Sequence, residues 1–232
     1  MPYRRLPKTD AARLKALKTL LDSNDIYTVR NNIVDWKLLN KAQTIYDRLF
    51  TAAGQYRLML KAQTRQTAKI NKTLRNASMY VSHFLQVLFL AVERREIKNT
   101  NLTLYGLTAD TTALPNIKTG EGVLAWAPKI IEGEKQRIKK GGRPIYNPTI
   151  GMVATHYDIF RETYEKQRAL VDRTQKALEQ AQTLRPEADA LLLDIWNQIE
   201  KDYENEPPGV RFDKCRQLGV IYYYRRHEEH LY

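Results

Sequence analysis

From Leu39 onward the apolar residues of this chain recur at alternating steps of three and four: Leu39, Ala42, Tyr46, Leu49, Ala53, Tyr56 and Leu60, then Gln63 and Thr67, then Ile70 and Leu74. A period of 3.5 keeps one stripe of an α-helix turned towards a partner helix over its whole length, as knobs-into-holes packing requires. A strand, with its period of two, cannot satisfy that spacing. The stripe then recurs. Val153, Tyr157, Phe160, Tyr164, Gln167, Val171, Thr174, Leu178 and Ala181 each lie 111 positions after Ala42, Tyr46, Leu49, Ala53, Tyr56, Leu60, Gln63, Thr67 and Ile70.

Both stripes run into similar tetrapeptides, Thr73-Leu74-Arg75-Asn76 and Thr183-Leu184-Arg185-Pro186, offset by 110. Asn76 suits an N-cap and Pro186 the first position of a new helix, so each tetrapeptide is predicted to be a corner. Beyond the corners, Ala77, Val81, Phe84 and Leu88 match Ala188, Leu192, Ile195 and Ile199 at 111 again. The expectation is therefore an all-α fold of one domain over 1–232: a four-helix bundle of two duplicated long helical hairpins, over about 36–97 and 151–205.

Thr9 reads as the N-cap of a short helix over 10–22, ended by the polar run Asp22 to Asp25. Residues 98–150 gather Gly and Pro and read as a crossover holding one helix, Val123–Lys140, with Pro128 in its first turns. Residues 206–232 carry a helix over Val210–Leu218 capped by Gly219, then a β-branched and aromatic run, Val220–Tyr224, expected to pair with Leu102–Tyr105 in a minor two-stranded ribbon.

At 232 residues the chain can bury a core without metal or disulfide staples. Cys215 is the single cysteine and points to a reducing compartment. No apolar run follows the basic start MPYRRLPKTD, and none reaches the roughly 18 residues of a membrane span. The cytoplasm is the expected location. The net charge of +12 is unevenly spread. Residues 1–98 hold 19 Lys+Arg against 7 Asp+Glu, while residues 154–232 hold 12 against 15. Such asymmetry serves an anionic partner or complementary halves of one fold.

Five segments, YRRLPKTDAARLKAL (3–17), LAWAPKIIEGE (124–134), GGRPIYNPTIGMV (141–153), LLLDIWNQIEKDY (191–203) and CRQLGVIYYYR (215–225), resemble an uncharacterised family of all-helical bacterial proteins with no assigned activity. The resemblance implies a single helical domain and carries over no functional residue.

Between Asp47 and Glu93 there is no acidic residue and there are seven basic ones, Arg48, Arg57, Lys61, Arg65, Lys69, Lys72 and Arg75. The last six recur every three or four positions, on one helix face away from the apolar seam. They are the candidate nucleic-acid or acidic-partner site. Stacking aromatics and a recognition-helix motif are missing, so nucleic acid would be held without regard to sequence. The competing account is a solvated face, or one neutralised by Asp158, Glu162, Glu165, Asp172 and Glu179 of the second stripe.

Lys140, Gly141, Gly142 and Arg143 are a candidate anion-binding loop in which successive backbone N–H groups form a nest, against the plainer account of Gly141 as a helix cap. Lys214 and Arg216 flank Cys215 and would lower its thiol pKa, against a plain cysteine of the interior. His83 and His156 read as structural, and His227 and His230 stand three apart rather than the four a zinc helix needs. Paired carboxylates, Glu132 with Glu134 and Glu162 with Glu165, lack the Glu-x-x-His of a bundle di-metal site. No catalytic residue, metal or cofactor is expected.

Three functions follow. A non-enzymatic scaffold or protein-interaction module, binding a protein partner or copies of itself, comes first. Sequence-independent nucleic-acid binding through the basic face is second. An enzyme with a pocket between bundle and crossover is third. No membrane association is expected, and the sequence identifies no small-molecule ligand.

Overall fold

Thr9 caps the first helix as its side chain predicts, its Oγ1 accepting from the Ala12 N–H at 3.2 Å. A computed structural model describes residues 2–23 and 33–225. Among the described residues the order is β1 (Tyr3–Arg4), α1 (Asp10–Ser23), α2 (Trp36–Glu93), a 3₁₀ helix (Asn99–Tyr105), α3 (Gly120–Lys139), α4 (Ile150–Asp202), α5 (Pro208–Gln217) and β2 (Tyr222–Tyr223). The chain is all-α with a minor ribbon. The run Asn24–Asp25, expected to help end the first helix, lies outside the described residues, as do His227 and His230.

The two corners are a correction. Thr73–Asn76 lies inside α2, 58 residues long, and Thr183–Pro186 lies inside α4, 53 residues long. The hairpin units over 36–97 and 151–205 are single helices. The reason is burial. Apolar residues continue across both tetrapeptides: Ala77 and Val81 follow Leu74 into one core, and Ala181, Leu184 and Ala188 bracket Pro186 in the other. A mid-helix proline costs about 3 kcal/mol, which the burial of Leu184, Leu191 and Leu192 around it, at about 1.5–3 kcal/mol each, outweighs. The 111-residue correspondence thus relates α2 to α4 as whole helices. Ala42 and Val153, Leu49 and Phe160, Ala77 and Ala188, Val81 and Leu192, Phe84 and Ile195, and Leu88 and Ile199 are all buried. Leu60 and Val171, expected in the seams, are instead 42% and 41% exposed.

Two compact units result, Met1–Leu60 with Arg173–Tyr232, and Lys61–Asp172. In the first, Leu39, Ala42, Ile45 and Leu49 of α2 pack with Leu191, Leu192, Ile195, Trp196 and Ile199 of α4 and with Leu17 and Leu20 of α1. Charge fixes α1 on α4. Arg13 donates to both Asp189 oxygens at 2.7 Å, and Arg185, inside the expected corner, donates to both Asp10 oxygens at 2.8 Å. Gly219 ends α5 at φ 89°. The aromatic run then forms its ribbon with a different partner: Tyr3 faces Tyr223 and Arg4 faces Tyr222 in antiparallel register, whereas Leu102–Tyr105 belongs to the 3₁₀ helix.

In the second unit, Ala77, Val81, Phe84, Leu85 and Leu88 of α2 pack with Val153, Tyr157 and Phe160 of α4 and with Val123, Ala127 and Ile130 of α3. Thr119 caps α3 by accepting from the Gly122 N–H at 3.1 Å. Pro128 sits nine residues into α3 rather than in its first turns. Gly133 lets α3 touch the 3₁₀ helix, because a Cβ there would stand 2.6 Å from the Leu104 carbonyl oxygen. No helix among the described residues is long and apolar enough to cross a membrane.

Candidate polyanion-binding face

The exposed side of α2 in the second unit carries Lys61, Arg65, Lys69, Lys72 and Arg75, all exposed. At 3.6 residues per turn they fall within about 120° of arc, opposite the side on which Ile70, Ala77 and Val81 enter the core. Among the described residues none of the five pairs with a carboxylate. Of the five acidic residues expected to neutralise them, two form ion pairs elsewhere. Asp158 pairs with Arg161 at 3.2 Å and Glu162 with Lys166 at 2.6 Å, each on its own helix. Lys166 accordingly holds the Glu162 carboxyl below its ordinary range. In the first unit, Glu179 accepts from Gln175, Arg48 reaches Glu187 at 3.5 Å, and Arg57 is exposed, in no ion pair among the described residues.

The Lys140–Arg143 loop does not form a nest. The Lys140 N–H donates to Gln136 O and Arg137 O, that of Gly141 to Ile138 O, and that of Gly142 to Arg137 O. The loop's amides therefore close the α3 C-terminus, with Gly141 at φ 89° as the cap. Of the loop's backbone donors only the Arg143 N–H is left for an anion, beside the side chains. Gly142 is needed for close approach, since a Cβ there would lie 2.7 Å from Arg137 Nη1.

Beneath the loop lies a polar cluster that the sequence did not single out. Glu134 is fully buried, and Arg137 and Tyr105 are 4% and 0% exposed. Arg137 donates from Nε to Tyr105 Oη at 3.0 Å and to Glu134 at 2.9 Å, and from Nη2 to Glu134 at 2.8 Å and to the Arg143 carbonyl at 2.7 Å. The Tyr105 hydroxyl and the Ile145 N–H donate to Glu134 as well. Burial alone would push the Glu134 carboxyl up, but the hydrogen bonds from Arg137, Tyr105 and Ile145 and the Arg137 charge hold it below its ordinary value. Burial, then the bond to Glu134, raises the Tyr105 hydroxyl well above its ordinary range. Glu134 to Arg137 is an i,i+3 spacing that usually marks an exposed pair, so only the adjacent Gly133 signals that this face of α3 is covered.

Two of the remaining candidates, Cys215 and His156, pack against other side chains. Cys215 is buried, and burial raises its thiol pKa despite a hydrogen bond with Tyr222. Its basic neighbours are committed away from it, Lys214 to Glu206 at 2.7 Å and Arg216 to Asp213 at 2.8 Å. His156 stacks on Tyr80 at 4.0 Å between ring centroids, and His83 is exposed. No group of three His, Cys, Asp or Glu residues suited to a metal occurs among the described residues. No protein-family model, no curated protein and no solved structure matches the chain.

Proposed function

We propose that this chain is a non-enzymatic interaction module that holds nucleic acid by its sugar–phosphate backbone, without reading sequence, through Lys61, Arg65, Lys69, Lys72 and Arg75. The observation that carries the proposal is that five exposed cations share one helix face and none is neutralised by a carboxylate of the described residues. A row of unpaired cations releases counterions from a phosphate backbone and so binds it with a salt-dependent affinity. Fluorescence anisotropy at low salt with two duplexes of unrelated sequence tests it. Equal binding of both is expected, and binding of neither refutes it.

A second reading, the scaffold, draws on Phe50 and Leu58 of α2, which are 60% and 65% exposed and offer apolar surface to a protein partner or a second copy. Light scattering across concentrations tests it, since a strict monomer removes self-association. We read the correspondence of α2 with α4 as an internal duplication and place the protein in the cytoplasm, where its one thiol stays reduced.

A further inference from the structure

Where the end of α2, the 3₁₀ helix and the exit of α3 meet in the second unit, there is a cavity of about 1010 Å³. Arg137 lines it, and its side chain is 5% exposed. Nε and Nη2 are fully engaged by Tyr105, Glu134 and the Arg143 carbonyl, whereas Nη1 donates to no group of the described residues. Nη1 lies beside Gly142, which also lines the cavity. Nη1 is not sealed from solvent, so its two N–H groups are available to a ligand that enters the cavity.

Around it stand Lys98, Lys140 and Arg143, all lining the cavity, exposed and in no ion pair among the described residues. Glu96 is the one carboxylate in the lining. Three uncommitted cations against one anion leave an excess that a monocarboxylate would not neutralise, whereas a phosphate group would. The α3 carbonyls that would repel an anion, those of Gln136, Arg137 and Ile138, are already capped by the loop amides. At the rim Tyr146 is 77% exposed and offers a ring face. The volume matches sites for small organic ligands.

We propose that this cavity binds a small phosphorylated molecule carrying a planar ring. Its phosphate is held by Arg137 Nη1, Lys98, Lys140 and Arg143, and its ring lies on Tyr146. This site is independent of the basic face of α2.

Calorimetric titration of the full chain with ADP and with pyrophosphate tests the proposal. Both probes bind with one-to-one stoichiometry. Lys140→Gln and Arg143→Gln each weaken both by about tenfold, the loss of one charge-assisted contact. Tyr146→Ala weakens ADP by about tenfold and leaves pyrophosphate unchanged. A Lys61→Gln/Arg65→Gln/Lys69→Gln variant leaves both affinities unchanged, which separates this site from the face proposed for nucleic acid. All three substituted loop positions are exposed, so their variants fold. Failure of both probes to bind, binding indifferent to Lys140→Gln and Arg143→Gln, or loss of pyrophosphate affinity in Tyr146→Ala would overturn the proposal.

Discussion

At Arg95 the backbone turns left-handed, with φ 62°, the one such non-glycine residue described. It ends α2: the Glu96 N–H donates to Ala91 O and the Arg95 N–H to Val92 O. Glycine normally takes this place because a Cβ strains the conformation. Arg95→Gly should therefore raise stability by about 1 kcal/mol in chemical denaturation, and an unchanged or lower midpoint would contradict the account. Glu134 gives the opposite test. Its folded-state pKa is lowered, so its contribution is whole above the ordinary value of 4.5 and fades as pH falls through the folded value. Glu134→Gln leaves Arg137 buried without its counter-charge and should cost about 3–5 kcal/mol at neutral pH. It should also flatten the acid limb of the stability profile. A variant as stable as the parent, with the same acid limb, would show that the cluster contributes nothing. Neither residue announces itself in sequence, because left-handed backbone and buried charge both depend on partners brought in from elsewhere.

At the scale of elements, α2 and α4 were legible as helices because their spacing of three and four persists over dozens of residues. Their length was not legible. Asn76 and Pro186 are local stop signals, and local signals yield when apolar residues on both sides of them enter one core. The ribbon shows the same limit: Val220–Tyr224 read as extended, yet only the docking of the N-terminal segment decides that Tyr3 faces Tyr223. The paired carboxylates and guanidiniums between α1 and α4 were equally hidden, since Arg13 and Asp189 are 176 positions apart. Asp189→Asn should cost about 2 kcal/mol, because Arg13 is buried and among the described residues keeps only Asp10, at 3.5 Å, as an anion. Hydrogen exchange should speed up in α1 more than in α2. Equal changes in both helices would show that the ion pairs do not dock α1.

At the scale of the molecule, charge and core divide by unit. Residues 61–172 hold 18 Lys+Arg against 10 Asp+Glu, and the rest hold 20 against 16. The core of each unit is built from that unit's own residues. A chain limited to 61–172 should therefore unfold cooperatively by circular dichroism, and a gradual loss of helix would contradict that independence. The basic face was legible at this scale because it needed only a helix and a run without acid. At Lys140–Arg143 the plainer of the two sequence accounts, Gly141 as a helix cap, is the one the backbone follows, because the amides of residues 140–142 are claimed by the α3 carbonyls.

The most direct test of the proposed function is the dependence of duplex DNA affinity on salt, measured for the parent and for Lys61→Gln/Arg65→Gln/Lys69→Gln. If five side chains meet phosphates, the log–log slope should be about −4.5 and should fall to about −1.8 in the variant, where Lys72 and Arg75 remain. A slope that is flat, or the same in both proteins, would contradict the assignment of binding to this face.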